Sequence, residues 1–430
     1  MGDRKPGFGR ALLSRRSVSE QRRGLRVMLM EGIPAVIIGN LLGGPLQTAF
    51  LLFLGFSSTQ IGLTLAIPSF TLLVQVFIAF AMQRWRNRRR LVLVFAVCHR
   101  ILWVATGLIP LLFPKAAWAP LYISLFLVSY ASAQICNIVW TSLISDAVPP
   151  SVRGKYFGIR NMVHFAVVCV TLLAGGQIME WLPGSAGFAV LFAISGLCIL
   201  WNGWELARYP NPPFEPSSKG ASFGTLLRPF ADQAFISASG FISLFLLLQN
   251  VIVPLFSYSM LNVLQLNYSE VTLITMLQNV VMMISYYYWG VANGRYPARK
   301  LLLWTFPLIG ASCFAWIGMA ALPVLPVLIL VHVLLGIGLG GYNLLAFNFL
   351  IGDSPKSERP MYVAVFNGLT GLAGFLGPLI GGWLFKASAD GPVWLLRYGL
   401  AAGTGTLLLA LAVGAAPLFF RIKRPAVREG

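Results

Sequence analysis

Long apolar runs alternate with short polar connections along almost the whole chain. A helix needs about 20 mostly apolar residues to cross the hydrocarbon core of a membrane. Twelve runs meet this length, and none shows the ten-residue alternation typical of a strand in an outer-membrane barrel. We place the twelve predicted transmembrane helices at 28–54, 60–82, 91–113, 118–144, 158–181, 186–207, 236–262, 269–291, 301–322, 324–351, 361–386 and 394–420.

Composition supports helices that lie in lipid. Hydrophobic residues make up 57% of the 430 residues and charged residues only 10%, whereas a soluble domain carries about 25% charged residues. All five cysteines fall inside predicted spans, so we expect no disulfide, no metal site and no cofactor. The first 26 residues are polar and basic, unlike a cleaved signal peptide. We predict a multi-pass protein of the cell membrane, plasma or inner.

The net charge of +19 would suit nucleic-acid binding, but its distribution argues against that function. With both termini cytoplasmic, 28 of the 32 lysines and arginines fall in cytoplasmic segments, and only Lys115, Lys386 and Arg397 fall in outer loops. This imbalance orients the helices and favours contact with anionic lipid. The charge pattern therefore predicts cytoplasmic termini and a lipid partner rather than nucleic acid.

Two polar connections are versions of one another. SDAVPPSVRGKYFGIRN at 145–161 is matched by DSPKSERPMYVAVFN at 353–367. An even number of spans separates them, so both halves have the same orientation, and the sequence predicts an all-α membrane protein of two parallel six-helix repeats. An offset of 206 residues relates Arg153 to Arg359, Tyr156 to Tyr362, Asn137 to Asn343, Asn161 to Asn367 and the Gly-Gly pair at 175–176 to that at 381–382, and an offset of 210 relates Gln60 to Glu270.

The repeat divides the chain into five segments. Two six-helix halves are joined by a linker rich in proline and serine and flanked by polar tails. The predicted boundaries are 1–26 for a basic cytoplasmic tail, 27–207 for the N-terminal half, 208–235 for the cytoplasmic linker, 236–420 for the C-terminal half and 421–430 for a second cytoplasmic tail.

The motifs in these loops resemble those of the major facilitator superfamily of secondary transporters. Asp146, Pro149 and Arg153 have the acid-x-x-Pro-x-x-x-Arg spacing found at the inner end of helix 4 in many members. The loop at 86–90 is similar to the Arg-x-Gly-Arg-Arg loop of the superfamily, although Arg88 replaces its glycine and no acid precedes it. The resemblance implies a twelve-helix fold in which two halves rock about a central site.

Four charged residues are candidates for an inner hinge that holds the inward-closed state. Paired charges at helix ends suit a gate, because each exposed pair contributes about 1 kcal/mol or less and can be broken on opening. The alternative is that these side chains only anchor the loops in the headgroup region. The candidates are Asp146 and Arg153 and their counterparts Asp353 and Arg359.

Amide side chains inside the spans are candidates for substrate binding, because a polar group in a membrane needs a partner. Helix 1 is interrupted by glycines and a proline at 39–45, and such breaks expose backbone to substrate in transporters. The alternative for these amides is hydrogen bonding between helices of one half. The candidates are Asn40, Gln47, Asn137, Asn161, Gln249, Asn250, Gln278, Asn279, Asn343 and Asn367.

Few ionisable residues lie inside the predicted spans, where each is a functional candidate. Glu31, early in helix 1, and His332, in helix 10, are the proton-coupling candidates. The alternatives are an arginine-paired acid at the interface for Glu31 and a packed, hydrogen-bonded histidine for His332. Arg100 could attract an anionic substrate, but a structural pairing is favoured because helix 3 is usually peripheral in the superfamily.

These patterns predict a secondary active transporter, not an enzyme, that moves a small organic solute by alternating access and is coupled to protons. Amides and aromatics favour uptake of a neutral polar solute. Efflux of amphipathic, drug-like compounds and uncoupled facilitation are the alternatives; a receptor or a lipid scramblase is less favoured. The expected partners are the solute, H⁺ and membrane lipid, and we expect a monomer.

Overall fold

A computed structural model describes residues 8–72, 87–148, 150–212, 228–353 and 359–421. Within these residues the chain is helical and contains no strand. Eleven of the described helical stretches are long and apolar enough to cross a membrane. The predicted second span at 60–82 is described only as far as residue 72, so its far end lies outside the described residues. The all-α fold of long membrane helices is confirmed.

In the described residues of the N-terminal half, five stretches are long and apolar enough to cross a membrane, and the helix Ser58–Thr71 is the described part of the predicted second span. The first helix runs without interruption from Phe8, so part of the predicted basic tail and most of the first predicted span share one helix. The helices are α1 (Phe8–Leu41), α2 (Gly44–Phe53), α3 (Ser58–Thr71), α4 (Arg88–Ala105), α5 (Trp118–Ala147), α6 (Pro150–Trp181) and α7 (Ser185–Ala207).

The predicted interruption of the first span is confirmed. Helix α1 ends at Leu41 and α2 begins at Gly44. Gly44 has a φ of +54°, which a residue without a side chain adopts at little cost. Pro45 follows as the second residue of α2 and has no amide hydrogen to continue the α1 ladder.

The C-terminal half repeats the arrangement. Its first span is also interrupted, because α8 gives way to 3₁₀ and π turns between Val253 and Val263, around Pro254. Its last span contains two π segments, at 395–399 and 411–415. The helices are α8 (Gln233–Ile252), α9 (Tyr268–Asn293), α10 (Ala298–Phe314), α11 (Val324–Asp353), α12 (Arg359–Ala387), α13 (Leu400–Ala410) and α14 (Ala416–Arg421).

The two halves start corresponding helices in the same way. Ser57 and Gln60 form a capping box at the start of α3, and Asn267 and Glu270 form one at the start of α9. In each, two backbone amides that the helix leaves without partners are satisfied reciprocally. Gln60 and Glu270, which the repeat aligns, therefore both mark the start of a corresponding helix.

Hydrogen bonds between described residues of the two halves lie at one end of the bundle, which the charge distribution predicts to be the outer end. Ser58 Oγ donates to the Gly382 carbonyl at 3.0 Å. Gln177 Nε2 donates to Ser269 Oγ at 2.7 Å, and the Ser269 amide donates to Glu180 at 3.1 Å. In the described part of the chain, the halves are thus sealed at this end.

Glycines make this seal possible. A side chain on Gly176 of α6 would meet Thr272 of α9, and one on Gly382 of α12 would meet the backbone of Ser58 in α3. Close approach of helix backbones in membranes depends on small residues of this kind. The second glycine of each repeated pair therefore lies where one half touches the other.

Candidate functional site

A cavity of about 390 Å³ lies within the N-terminal half, between α1, α4, α5 and α6. Apolar residues form much of its wall, and polar side chains converge on it from all four helices. A concave, mainly apolar site with a few converging polar groups is typical of small-molecule binding. Its lining is Glu31, Gly32, Ala35, Val36, Val92, Ala96, His99, Arg100, Ala133, Cys136, Asn137, Trp140, Arg160 and His164.

Glu31 is the centre of a buried polar cluster. Its Oε1 accepts a hydrogen bond from Asn202 Nδ2 at 3.0 Å and lies 3.6 Å from Arg100 Nη2. Its Oε2 accepts from the Tyr209 hydroxyl at 2.9 Å. Arg100 is fixed in turn, since its Nη1 donates to Asn202 Oδ1 at 2.6 Å. Both oxygens of this carboxylate are therefore held, as buried charges require.

Tyr209 connects this cluster to the cavity wall. Its hydroxyl accepts a hydrogen bond from Trp140 Nε1 at 3.0 Å while it donates to Glu31. Burial and the nearby Glu31 carboxylate raise the pKa of Tyr209 well above its ordinary value. The hydroxyl therefore keeps its proton and remains a donor to Glu31.

Arg160 of α6 also lines the cavity. Its guanidinium carbon is 4.9 Å from the centre of the Trp140 ring, a distance at which a cation is attracted to the ring face. Its buried Nε has no hydrogen-bond partner, and the ion pairs between described residues do not include it. Arg160 therefore brings to the cavity a positive charge that the described residues do not pair.

His164, one turn beyond Arg160 on α6, closes the cavity towards α1. Its Nε2 lies 3.2 Å from the Leu29 carbonyl. A side chain on Gly32 would overlap the imidazole ring, so the absence of a side chain there lets α1 and α6 approach each other. His99 is held on the other side of the cavity, with Nδ1 2.8 Å from Ser129 Oγ.

Of the four hinge candidates, only the side chain of Asp146 is described. Arg88 Nη1 donates to Asp146 Oδ2 at 2.6 Å and to Ser142 Oγ at 2.9 Å. Arg88, which stands at the glycine position of the superfamily loop, is buried, whereas Asp146 is half exposed. The side chains of Arg153, Asp353 and Arg359 lie outside the described residues, so their part in a hinge stays a prediction.

Three of the predicted cavity amides bond within their own half. Asn40 donates to the Val36 carbonyl and its counterpart Asn250 to the Leu246 carbonyl, both at 2.8 Å. Gln47 donates to the Tyr122 hydroxyl at 3.2 Å in the apolar core. Only the Gln47 bond, between α2 and α5, matches the alternative of hydrogen bonding between helices of one half, since Asn40 and Asn250 bond within their own helices. A role for these amides in substrate binding stays a prediction.

The other predicted amides are spread over both halves. Asn137 lines the cavity and is exposed at its rim, and Asn161 is exposed on α6. Asn343 donates to the Tyr286 hydroxyl at 3.4 Å. Gln249 is buried, and its Oε1 has no partner among the described residues. The remaining three, Gln278, Asn279 and Asn367, are half-buried.

His332 does not reach the cavity. It is 2% exposed in the C-terminal half, where its Nδ1 lies 2.8 Å from the Leu328 carbonyl and its ring lies 5.9 Å from that of Phe256. The structure thus brings Glu31, Arg100 and Asn137 together and leaves His332 apart from them.

Four residues of this site were missed by sequence reasoning. Arg160 was counted with the cytoplasmic loops, although it lies within the predicted fifth span. Its four-residue spacing from His164 puts both on one face of a helix and could have revealed it. Trp140, Asn202 and Tyr209 carry no such signal, because their roles arise from contacts between distant helices.

The geometry agrees with comparisons to known proteins. The family model described as Major Facilitator Superfamily matches residues 27–252 and 239–429. The chain belongs to the major facilitator superfamily. As a member of the superfamily it is a multi-pass transporter of the membrane, and its two matched segments correspond to the two halves described above.

Solved structures share this superfamily fold at low identity. A mutant of the nucleoside transporter NupG has a TM-score of 0.73 at 12% identity, covering 92% of this chain and 100% of that one. A D-xylose–proton symporter has a TM-score of 0.68 at 14% sequence identity, and the match covers 91% of this chain and 96% of that one. A bacterial homologue of the human lysosomal transporter Spinster, in an inward-facing and unoccupied conformation, has a TM-score of 0.64 at 17% sequence identity. The match covers 93% of this chain and 95% of that one. The chain matches no curated protein sequence.

Proposed function

We propose that this superfamily member is a secondary active transporter that moves a small organic solute by alternating access and couples this movement to protons. The observation that carries the proposal is the cavity of about 390 Å³ around Glu31, Arg100 and Arg160, in a bundle whose halves are sealed at one end. A solute enters this cavity from the unsealed end, and rocking of the halves exchanges the seal between ends.

The proposed rocking is supported by the nature of the seal. It consists of a few hydrogen bonds and of glycine contacts, with no ion pair between described residues of the two halves. Each neutral hydrogen bond contributes about 0.5–1.5 kcal/mol. A few hydrogen bonds of this free energy favour the conformation closed at this end but are weak enough to break when the halves rock.

Glu31 is the proposed proton site. Its partner Arg100 lies 3.6 Å away, beyond direct hydrogen-bonding distance, and is bound more closely by Asn202. If α4 shifts relative to α1 within the N-terminal half as the two halves rock, the carboxylate loses its positive neighbour inside the membrane, where an unpaired charge is costly. Uptake of a proton then neutralises it. This links the proton cycle to the movement of the helices.

Reconstitution into liposomes tests both parts of the proposal. We expect saturable counterflow of at least one solute from a panel of nucleosides, pentoses, amino acids and organic acids, accelerated by a proton gradient. Glu31→Gln is expected to keep counterflow but to lose the acceleration. Glu205→Gln is the matched control, because Glu205 is also a buried acid of the N-terminal half but pairs with Arg208, away from the cavity.

Two results would contradict the proposal. Absence of flux for every solute in the panel, with a correctly oriented and folded protein, would rule out transport of these classes. Acceleration of counterflow by the gradient in Glu31→Gln to the same extent as in the wild type would rule out coupling through Glu31.

Efflux of amphipathic compounds is a second candidate, favoured by a different observation. An apolar cavity of about 540 Å³ lies between α9 and α11, beside Ile284, Tyr288 and Trp289. Aromatic side chains of this kind bind lipophilic ligands over large areas. Competition of a lipophilic cation with the solute that drives counterflow would favour this candidate.

A further inference from the structure

We propose that the cavity of the N-terminal half binds a small organic monoanion and that Arg160 is the residue that pairs with its carboxylate. This inference rests on the proposed transport function and names the chemical class of its solute. It departs from the neutral polar solute that the amide and aromatic residues of the sequence favour.

The residues that line the cavity have a net positive charge. Apart from its two histidines, the cavity is lined by one carboxylate, Glu31, and two guanidinium groups, Arg100 and Arg160. Glu31 and Arg100 face each other and share Asn202, so their charges compensate. The described lining is left with one excess positive charge, at Arg160.

An uncompensated charge inside a membrane protein is costly, and such residues face water-filled cavities and mark the paths of ions and substrates. Arg160 is the second residue of the apolar stretch Ile159–Trp181, which is long enough to cross a membrane, and it lines the cavity between the helices. An anionic ligand in this cavity would compensate the charge of Arg160.

The geometry of Arg160 suits a carboxylate. Trp140 covers one face of the guanidinium, which restricts its orientation and leaves its edge for hydrogen bonds. The buried Nε is without a partner. An arginine edge can donate two parallel hydrogen bonds to the two oxygens of a carboxylate, and this pairing is stronger than a neutral hydrogen bond.

The remaining lining restricts the size and the charge of the ligand. Ala35, Ala96 and Ala133 form apolar walls, and Asn137 adds an amide at the rim. The volume of about 390 Å³ is near the lower end of the range of about 300–1,000 Å³ for small-molecule sites. One excess charge matches a monoanion better than a dianionic phosphate ester. The site therefore fits a small carboxylic acid with an apolar part.

Binding to the purified full-length protein in detergent tests this assignment without requiring transport. The probes are benzoate, hexanoate and lactate, each compared with its neutral amide by isothermal titration calorimetry. We expect at least one acid to bind about tenfold more tightly than its amide, the ratio for about 1.4 kcal/mol of charge-assisted hydrogen bonding. Failure of all three acids to bind, or equal binding of acid and amide, would overturn the proposal.

Variants assign the effect to Arg160. Arg160→Gln is expected to weaken binding of the acid about tenfold or more and to leave the amide unchanged, and Arg160→Lys to retain part of the preference because it keeps the charge. Arg208→Gln is the matched control, since Arg208 also lies over a tryptophan, Trp204, but outside the cavity. Undiminished preference for the acid in Arg160→Gln would overturn the assignment. The comparison of acid with amide in the wild type needs no variant and stands if Arg160→Gln does not fold.

Failure of this inference and failure of the transport proposal give different results. If the acid binds through Arg160 but proteoliposomes carry no solute, the anion site stands and the transport proposal is wrong. If proteoliposomes carry a neutral solute but the acids do not bind, or bind no more tightly than their amides, transport stands and the anion site is wrong.

Discussion

The two halves have the same fold but different interiors at equivalent depths. An offset of 210 residues relates Glu31 to Phe241 and Arg100 to Gly310. Phe241 packs its ring against those of Phe245 and Phe306, at 6.3 and 5.3 Å. Gly310 lies against Leu409. A polar cluster in one half therefore corresponds to a packed aromatic cluster in the other.

This difference shows how one repeat serves two purposes. The N-terminal half contributes to two separate hydrophobic cores, one of them around Val27, Val92 and Leu143, and Tyr209 of the polar cluster belongs to this core. In the C-terminal half the aromatic cluster belongs to a single continuous core. Burying charges rarely adds stability over apolar packing. The presence of the polar cluster therefore fits the function proposed for the N-terminal half.

The largest expected effect comes from leaving Glu31 without its arginine. Arg100→Leu should lower the free energy of unfolding by about 3–5 kcal/mol, because an uncompensated buried carboxylate remains. The double variant Glu31→Leu/Arg100→Leu should lose much less. Unfolding monitored in detergent would measure both, and an equal loss in the two variants would contradict the pairing.

Removing packing from the aromatic cluster should have a smaller effect. Phe306 is fully buried and contacts the rings of Phe241 and Phe245. Phe306→Leu should cost about 1–3 kcal/mol, the range of most destabilising substitutions. The KM of transport in proteoliposomes should not change, since this cluster does not line the cavity. A changed KM would break the division of roles between the halves.

Two tyrosines offer a matched comparison of the halves. Tyr209→Phe removes a donor to Glu31 and an acceptor for Trp140, and it should cost about 1–2 kcal/mol. Tyr342, buried in the C-terminal half, has no hydroxyl hydrogen bond to the described residues, so Tyr342→Phe should change stability by less than about 0.5 kcal/mol. Thermal unfolding of both variants measures the difference, and equal losses would contradict it.

The smallest effect is expected at the seal between the halves. Ser58→Ala removes the hydrogen bond to Gly382 and should shift the balance towards opening of the sealed end by about 0.5–1.5 kcal/mol. Distances between spin labels on the two halves would report this shift. Ser243→Ala is the control, because its hydroxyl donates to Ser239 within α8. The same shift in both variants would mean that the hydrogen bond across the halves has no special role.

The architecture could be predicted from the sequence because it depends on local periodicity. Run length, the positive-inside pattern and the offset between repeats predict spans, halves and the interrupted first helix. The site depends instead on contacts between helices far apart in sequence. The pairing of Glu31 with an arginine was one alternative from the sequence, but the two neutral donors at its carboxylate were not visible.

Arg160 shows where the reasoning from sequence stopped. The fifth span is predicted at 158–181, which contains Arg160, yet the charge count places Arg160 with the basic residues of the cytoplasmic loop. Helix α6 begins at Pro150, eight residues earlier than this prediction. The packing of α6 against its neighbours places Arg160 in the cavity wall beside Trp140, and this placement is the basis for proposing an anionic rather than a neutral solute.

The unpaired Arg160 has an electrical consequence. A positive charge that faces alternately the two sides of the membrane does work against the membrane potential, about 2.3 kcal/mol per elementary charge per 100 mV for a full crossing. In the proposed cycle a bound monoanion would cancel this charge, so a carrier loaded with the anion while Glu31 is ionised would reorient with little dependence on voltage. The empty carrier would retain the charge, and an inside-negative potential would hold its cavity towards the cytoplasm. Voltage would then act on the return of the empty carrier rather than on the step that moves the solute.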